Sequence, residues 1–337
     1  MSNLLPWFNQ EDKPLYLAPM ARYTDYVYRQ ICKDLGADVM VSEFVLADSL
    51  LRDGTASWET IDFSESQRPM GVQLFGSNPE PIAEAARRVR ARMNPDFIDL
   101  NFGCPASRIT GCNGGSSLLK NLKKFGEIIT QTKNALGQDY PLTCKIRIGW
   151  DAESIIAVEA AQIAESCGAS AVAVHGRTRE QGYSGKADWS VIQSVCESVK
   201  IPVIGNGDVS SAEQVIQIYR TIPVAGMMIG RAALGYPWIF QEIKYFLKTG
   251  QKHPSPTLEN RWELILEYAQ NLLKRPARKH KKDDIRWMRP RLIAMTKEMN
   301  LSKQLRGRIG KAKDLATLHT LKNWHLEEVA SREATRR

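Results

Sequence analysis

The chain has no stretch near the roughly 18 to 20 consecutive apolar residues that a membrane-spanning helix needs, so no membrane segment is expected. Its six cysteines, at 32, 104, 112, 144, 167 and 196, form no CxxC pair and no cluster. That leaves no zinc site and no disulfide framework, and it suits a reducing compartment. The opening MSNLLPWFNQEDKP lacks a basic segment followed by a long apolar core, so no secretory signal is expected. No repeat of fixed period is visible, and no GxGxxG follows the first apolar run, which disfavours an open dinucleotide-binding sheet. What is present is ordinary globular material: 337 residues, 43% aliphatic or aromatic and 25% charged. This length allows one barrel-sized domain and a smaller one. The expected setting is cytoplasmic, with no membrane and no metal, and the chain is expected to work as a monomer.

Charge is distributed unevenly. Residues 241–337 hold 23 Lys plus Arg against 11 Asp plus Glu, a net of +12, and residues 1–240 hold 23 against 26, a net of −3. The densest run spans Lys274 to Lys282, and the pattern resumes at Arg286, Arg289, Arg291, Lys303, Arg306, Arg308, Lys311 and Lys313. Trp262, Tyr268, Trp287 and Trp324 are interleaved with it. A solvated helical face is the plain reading. The sharper one is a surface for a nucleic-acid backbone, because clustered cations release the counterions of phosphates.

Up to residue 247, short β-rich runs alternate with helical patterns. The strand candidates are 15–20, 38–45, 70–76, 97–103, 142–149, 170–176, 201–208 and 225–231. Helical periodicity fills segments between them, such as 81–93 and 154–168. Eight strands with helices between them in about 230 residues predict an α/β fold of the (β/α)8 TIM-barrel type. The stretch 248–257 carries the Pro-rich GQKHPSPT and reads as a linker. Beyond it, 262–274, 284–299 and 314–329 are helical only, which predicts a small basic all-α bundle over 258–337.

In such a barrel the loops after the strands share one face, and that face holds the active site. The strand ends supply Pro19-Met20-Ala21, Glu43, Gln73, Asn101 with Cys104, Lys145 with Arg147, His175 with Arg177, Asn206-Gly207-Asp208 and Gly230-Arg231. Each alone has a structural explanation, but packing gives no reason for so many polar residues at equivalent places. Glycine-rich turns after strands 7 and 8, beside Arg231, are where barrels bind phosphate. Lys145 is placed either to stabilise a developing negative charge, such as that of a reduced flavin, or to form a Schiff base. Cys104, followed by a loop of small residues over 106–115, is placed as a nucleophile or a general acid. Cys112, in the same loop, is the competing thiol.

The ordered motifs LAPMARYTD (17–25), GVQLFG (71–76), DLNFGCP (99–105), CKIRIGW (144–150), VHGRTREQGYSGKADW (174–189), IPVIGNGD (201–208) and MIGRAALGYPWIF (228–240) resemble the bacterial tRNA-dihydrouridine synthases, with the B-type branch most similar. The resemblance implies an FMN-binding catalytic barrel over 1–247 and a tRNA-binding helical domain over 258–337. It implies reduction of the C5=C6 bond of a uridine in the D-loop of tRNA, with NADPH as reductant. Hydride would pass from flavin N5 to C6 and a proton from Cys104 to C5. Pro19, Met20, Ala21, Gln73, Lys145, His175, Asn206, Gly207, Asp208, Gly230 and Arg231 would hold the FMN. Asn101, Arg147 and Arg177 would meet the uridine, and Arg289 and Arg291 the tRNA.

Three places depart from the family pattern. Arg22-Tyr23 stand where a Gly and a small apolar residue are usual, Ser appears in Gly114-Gly115-Ser116-Ser117 where Ala is common, and Pro290 is expected to kink a basic helix.

Overall fold

A computed structural model describes residues 4–9, 13–275 and 284–335. The chain divides into two compact units, Met1–Gly230 and Arg231–Arg337. The sequence put the dividing line near residue 247. By contact, the helices Arg231–Gly235 and Ile239–Thr249 belong with the second unit.

The first unit is built on nine strands: β1 Leu15–Leu17, β2 Met40–Val41, β3 Val45–Leu46, β4 Met70–Phe75, β5 Phe97–Phe102, β6 Leu142–Arg147, β7 Ala171–His175, β8 Val203–Asn206 and β9 Gly226–Ile229. All pairings are parallel, in the order β1-β9-β8-β7-β6-β5-β4-β2, with β3 also on β4. The predicted run 38–45 is thus two short strands sharing one place in the ring. The ring closes where Tyr16 bridges Val39, through Leu17 N–H to the Val39 carbonyl (3.1 Å) and Asp38 N–H to the Leu15 carbonyl (2.8 Å). Eight strand positions therefore form the expected barrel.

Helices cover the outside for simple reasons. Pro79–Met93 starts on a proline and buries Ile82, Ala86 and Val89 at helical spacing. Leu122–Leu136 is capped by Asn121, whose side chain accepts the Lys124 N–H at 3.0 Å, and ends at Gly137 with φ +83°. These two helices pack against each other.

Inside the ring, side chains alternate with the pleat. Tyr16, Ala18, Val39, Val41, Phe97, Ala171, Ala173, Ile204 and Met228 form one buried apolar cluster with Leu5 and Trp7. Trp7 belongs to the short 3-10 turn Pro6–Asn9; its indole donates to the Tyr16 hydroxyl (2.6 Å) and its ring lies 5.6 Å from that of Phe97. The N-terminal segment thereby plugs the barrel floor. Gly71 makes room for Phe97: a Cβ there would meet the ring at 2.2 Å.

The second unit is helical. Leu258–Leu273 starts with a capping box between Thr257 and Asn260 and packs against Leu315–Thr335. At their contact Trp262 Nε1 donates to Nδ1 of the buried His325 (2.9 Å), so Nε2 carries the proton toward the Asn300 carbonyl (2.6 Å). The expected helix over 284–299 is instead a 3-10 turn, Arg286–Met288, followed by Arg289–Met295. Pro290 lies in the first turn of that helix, where its missing N–H costs nothing, so it starts a helix and does not kink one. Most of the run Lys274–Lys282 lies outside the described residues. Among the described residues no helix is long and apolar enough to cross a membrane.

Candidate active site

The carboxyl ends of β4, β5 and β6 carry a connected polar chain. Asp99, buried in the ring, accepts from the Gln73 amide (2.6 Å) and from the Thr143 hydroxyl (2.5 Å). The Gln73 carbonyl oxygen accepts from the Asn101 amide (2.7 Å). The Asn101 carbonyl oxygen in turn accepts the backbone N–H groups of Gly103 (3.1 Å) and Cys104 (2.9 Å). That last pair shapes the turn leaving β5 and sets the position of Cys104. Asp99 and Thr143 were missed in the sequence. Asp99 lies two residues before Asn101 and so on the same face, which is a signal the strand period contains.

Lys145 pairs with Asn101 in register and its ammonium donates to the Asn206 side-chain oxygen (3.1 Å). The Asn206 amide donates to the Met228 carbonyl (2.8 Å). Burial and the like charge of Arg147 push the Lys145 pKa down to about 8, against the opposing pull of Asp99 and Cys104. Burial also raises the Asp99 carboxyl above its usual range, although its hydrogen bonds and Lys145 favour the anion.

Cys104 is half-buried and Cys112 is exposed. Burial pushes the Cys104 thiol up, while the Ala106 N–H, Arg147 and Lys145 favour its thiolate less strongly. The thiol therefore keeps its proton at neutral pH and has groups ready to steady the anion. Its loop folds back on it. The Ser116 hydroxyl and N–H both donate to the Cys104 carbonyl, at 2.9 and 3.2 Å. Gly115, at φ +58°, comes so close that a Cβ would lie 2.9 Å from that carbonyl.

Three expected ligand-binding residues have other engagements. Arg147 is buried, and donates to the carbonyls of Gly103 (2.9 Å), Thr178 (2.7 Å) and Gly182 (2.9 Å). It ties the loop after β5 to the loop after β7. Arg177, also buried, donates to the carbonyls of Ser184 (3.0 Å) and Gly185 (2.6 Å) and pairs with Asp208 at 2.8 Å. Asp208, at φ +54°, also accepts the Ala187 N–H (2.8 Å). These bonds brace the loop 176–187 against the turn after β8.

The remaining expected residues of the first unit line the same end. Pro19 and Met20 are half-buried and Ala21 is exposed after β1. His175, buried at the end of β7, has its ring centre 6.5 Å from that of the exposed Tyr183. Gly207, at φ +137°, sits 3.4 Å from His175 Cδ2 by the Cβ it lacks, and 2.5 Å from Ala187 Cβ. A Cβ on Gly230 would lie in ordinary contact with Ala18 Cβ (3.6 Å) and Met20 Sδ (3.7 Å). Arg231 is exposed and opens the second unit. Arg22 adopts φ +70°, the region that favours glycine.

In the second unit the guanidinium of Arg289 holds the Ala312 carbonyl (2.8 and 2.5 Å), and Arg291 is buried at 8% exposure. Arg291 is thus withdrawn from solvent, and Arg289 is half-buried. Lys303, Arg306, Arg308, Lys311 and Lys313 are exposed instead, and none is in an ion pair among the described residues.

Known proteins resemble this chain in sequence and in fold. The model of the dihydrouridine synthase (Dus) family matches residues 16–334. A tRNA-dihydrouridine synthase B of Pseudomonas aeruginosa is 40% identical over 274 residues, covering 79% of this chain and 82% of the relative. A probable tRNA-dihydrouridine synthase of Rickettsia conorii is 38% identical over 260 residues, covering 77% and 78%. Among solved structures, a histamine dehydrogenase from Rhizobium sp. 4-9 has a TM-score of 0.54 at 13% identity, covering 80% of this chain and 51% of that one. A structure of TcOYE with pHBA has a TM-score of 0.52 at 9% identity, covering 74% and 92%. At these identities the likeness is one of fold.

Proposed function

Because the chain belongs to the dihydrouridine synthase family, and to its B-type branch, we propose that it reduces the C5=C6 bond of a uridine in the D-loop of tRNA, using FMN that NADPH re-reduces. The observation that carries the reading is the polar chain from Asp99 through Gln73 and Asn101 to Cys104, with Lys145 beside it. The donor set fits a flavin. A half-buried lysine with a lowered pKa stands among the side-chain amides of Gln73, Asn101 and Asn206, donors and acceptors of the kind a flavin ring edge needs. Gln73, Lys145 and His175 would hold that ring, with Pro19, Met20 and Ala21 along its edge. Gly207 and Gly230 let backbone approach a phosphate. Asn206, Asp208 and Arg231 are assigned to that end by motif, although Asp208 is also the brace for Arg177.

When bound, the flavin supplies the hydride that C6 receives. The protein supplies the proton and the orientation. A uracil must leave its stack to enter the mouth, so base flipping is required. The Asn101 amide gives one hydrogen to Gln73 and keeps one for a uracil carbonyl. Cys104, protonated at neutral pH, gives its proton to C5. The thiolate left behind faces the Ala106 N–H, Arg147 and Lys145, and takes its proton back from water. Arg147 and Arg177 act by fixing the loops around the base. The tRNA is held by shape and phosphates through Lys303, Arg306, Arg308, Lys311 and Lys313. This shifts the role first given to Arg289 and Arg291 onto exposed neighbours.

The test is spectroscopic. The purified protein should be yellow, bleach with NADPH, and recover its colour on adding tRNA from a strain lacking dihydrouridine. Recovery only with oxygen or with a free pyrimidine would move the function to small-molecule metabolism.

A further inference from the structure

We propose that Lys120, Trp150 and Arg179 form an anion-binding point on the barrel rim that holds a backbone phosphate of tRNA next to the flipped uridine. The inference rests on the tRNA reading above and adds positioning residues to it.

The three residues come from the consecutive loops after β5, β6 and β7. The Lys120 ammonium lies 4.4 Å and the Arg179 guanidinium carbon 4.7 Å from the centre of the Trp150 ring. Lys120 is exposed; Trp150 and Arg179 are half-buried. Neither cation is in an ion pair among the described residues, and Arg179 Nε is buried without a hydrogen-bond partner. The nearby Asp151 is occupied with its own turn, accepting from the Ser154 hydroxyl (2.7 Å) and the Glu153 N–H (3.1 Å). Two like charges gathered on one indole repel each other, and the ring's attraction for each is weak. An anion held by both would relieve the repulsion.

Placement points to which anion. The Arg179 N–H donates to the Gly149 carbonyl and the Glu180 N–H to the Trp150 carbonyl, both at 2.9 Å. Thr178, the residue before Arg179, receives Arg147. Lys120 ends the 3-10 turn Gly115–Lys120, whose Ser116 holds the Cys104 carbonyl. The pair is thus keyed by short covalent and hydrogen-bonded paths to the thiol and to Arg147. A base drawn into the mouth leaves its own flanking phosphates at the rim. Residues 1–240 carry a net charge of −3, so the rim needs local cations to accept them.

The experiment measures tRNA binding by wild type, Lys120→Ala, Arg179→Gln and the double variant across a salt series, with the KM and kcat of uridine reduction and the rate of flavin reduction by NADPH. Each single variant should flatten the salt slope by about one unit and the double variant by about two. KM for tRNA should rise, with kcat and flavin reduction unchanged. A double variant with the wild-type slope and KM overturns the inference and leaves the enzyme assignment standing. A wild-type protein that neither retains nor reduces tRNA overturns both. Lys120 is exposed and Arg179→Gln keeps a polar side chain, so both variants should fold; melting curves check it.

Discussion

Near their starts, β5, β7 and β8 turn Phe97, Ala171 and Ile204 into the barrel; further along the same faces they carry Asp99 and Asn101, His175, and Asn206. Floor and mouth therefore share backbone, twist and closure, and differ only in side chains. The floor is apolar, sealed by Trp7, and supplies cohesion. The mouth holds a buried carboxyl, a half-buried ammonium and a half-buried thiol, each displaced from its ordinary pKa by burial. The lesson is a division of labour along each strand. The stabilising residues lie two to four positions before the reactive ones.

The hardest blow to that division would come from Cys104→Ala. Turnover of tRNA uridine should fall by about 10²–10⁴-fold, as expected for loss of a positioned acid. The melting temperature and flavin content should stay near wild type, read by nucleoside mass spectrometry beside thermal melts. Wild-type turnover would remove Cys104 from its role. At the floor, Phe97→Ala should cost about 3–5 kcal/mol in urea unfolding, while the folded fraction keeps its turnover. Activity lost without a change in stability would mean that the floor does more than pack.

Lys145 sharpens the comparison through pH. With a pKa of about 8, it is a cation below that value and neutral above it. Flavin reduction by NADPH should therefore slow as pH rises through about 8. In Lys145→Arg, which keeps its charge, that decline should vanish from stopped-flow traces. A decline at the same pH in the variant would assign it to another group. The smallest effect is expected at Arg22, whose φ of +70° suits glycine. Arg22→Gly should raise stability by about 0.5–1 kcal/mol, the relief of strain less the added freedom of the unfolded chain. A lower melting temperature would show that the arginine side chain makes a stabilising contact.

The barrel was legible because each strand is a short β-rich run ending in a turn residue, and because helices between them keep the 3.6 period. The split of 38–45 was not, since two short strands with an irregular middle read the same as one longer strand. Cys104 and Lys145 were legible as polar residues at strand ends. The roles of Arg147, Arg177 and Asp208 were not: which carbonyls a guanidinium reaches depends on how three loops fold over one another, information that no local spacing carries. Arg291 shows the same limit, because a basic residue in a helix reads as exposed until the packing around it is known. Trp150 was noticed only as part of a motif. Its two cations come from positions 30 residues before it and 29 after it, and the side-by-side pairing of β5, β6 and β7 brings them together.

The plug under the barrel also sets a timetable. β1 pairs with β9, Leu15 opposite Met227, so β1 waits for a strand made roughly two hundred residues later. At ordinary translation speeds that wait lasts about 10–40 s. Until then Trp7 and Tyr16 have no floor to seal, and apolar residues made long before Met227 are among the last to find their places. Closure is the slow, non-local step, and the indole of Trp7 is a built-in reporter of the moment it happens.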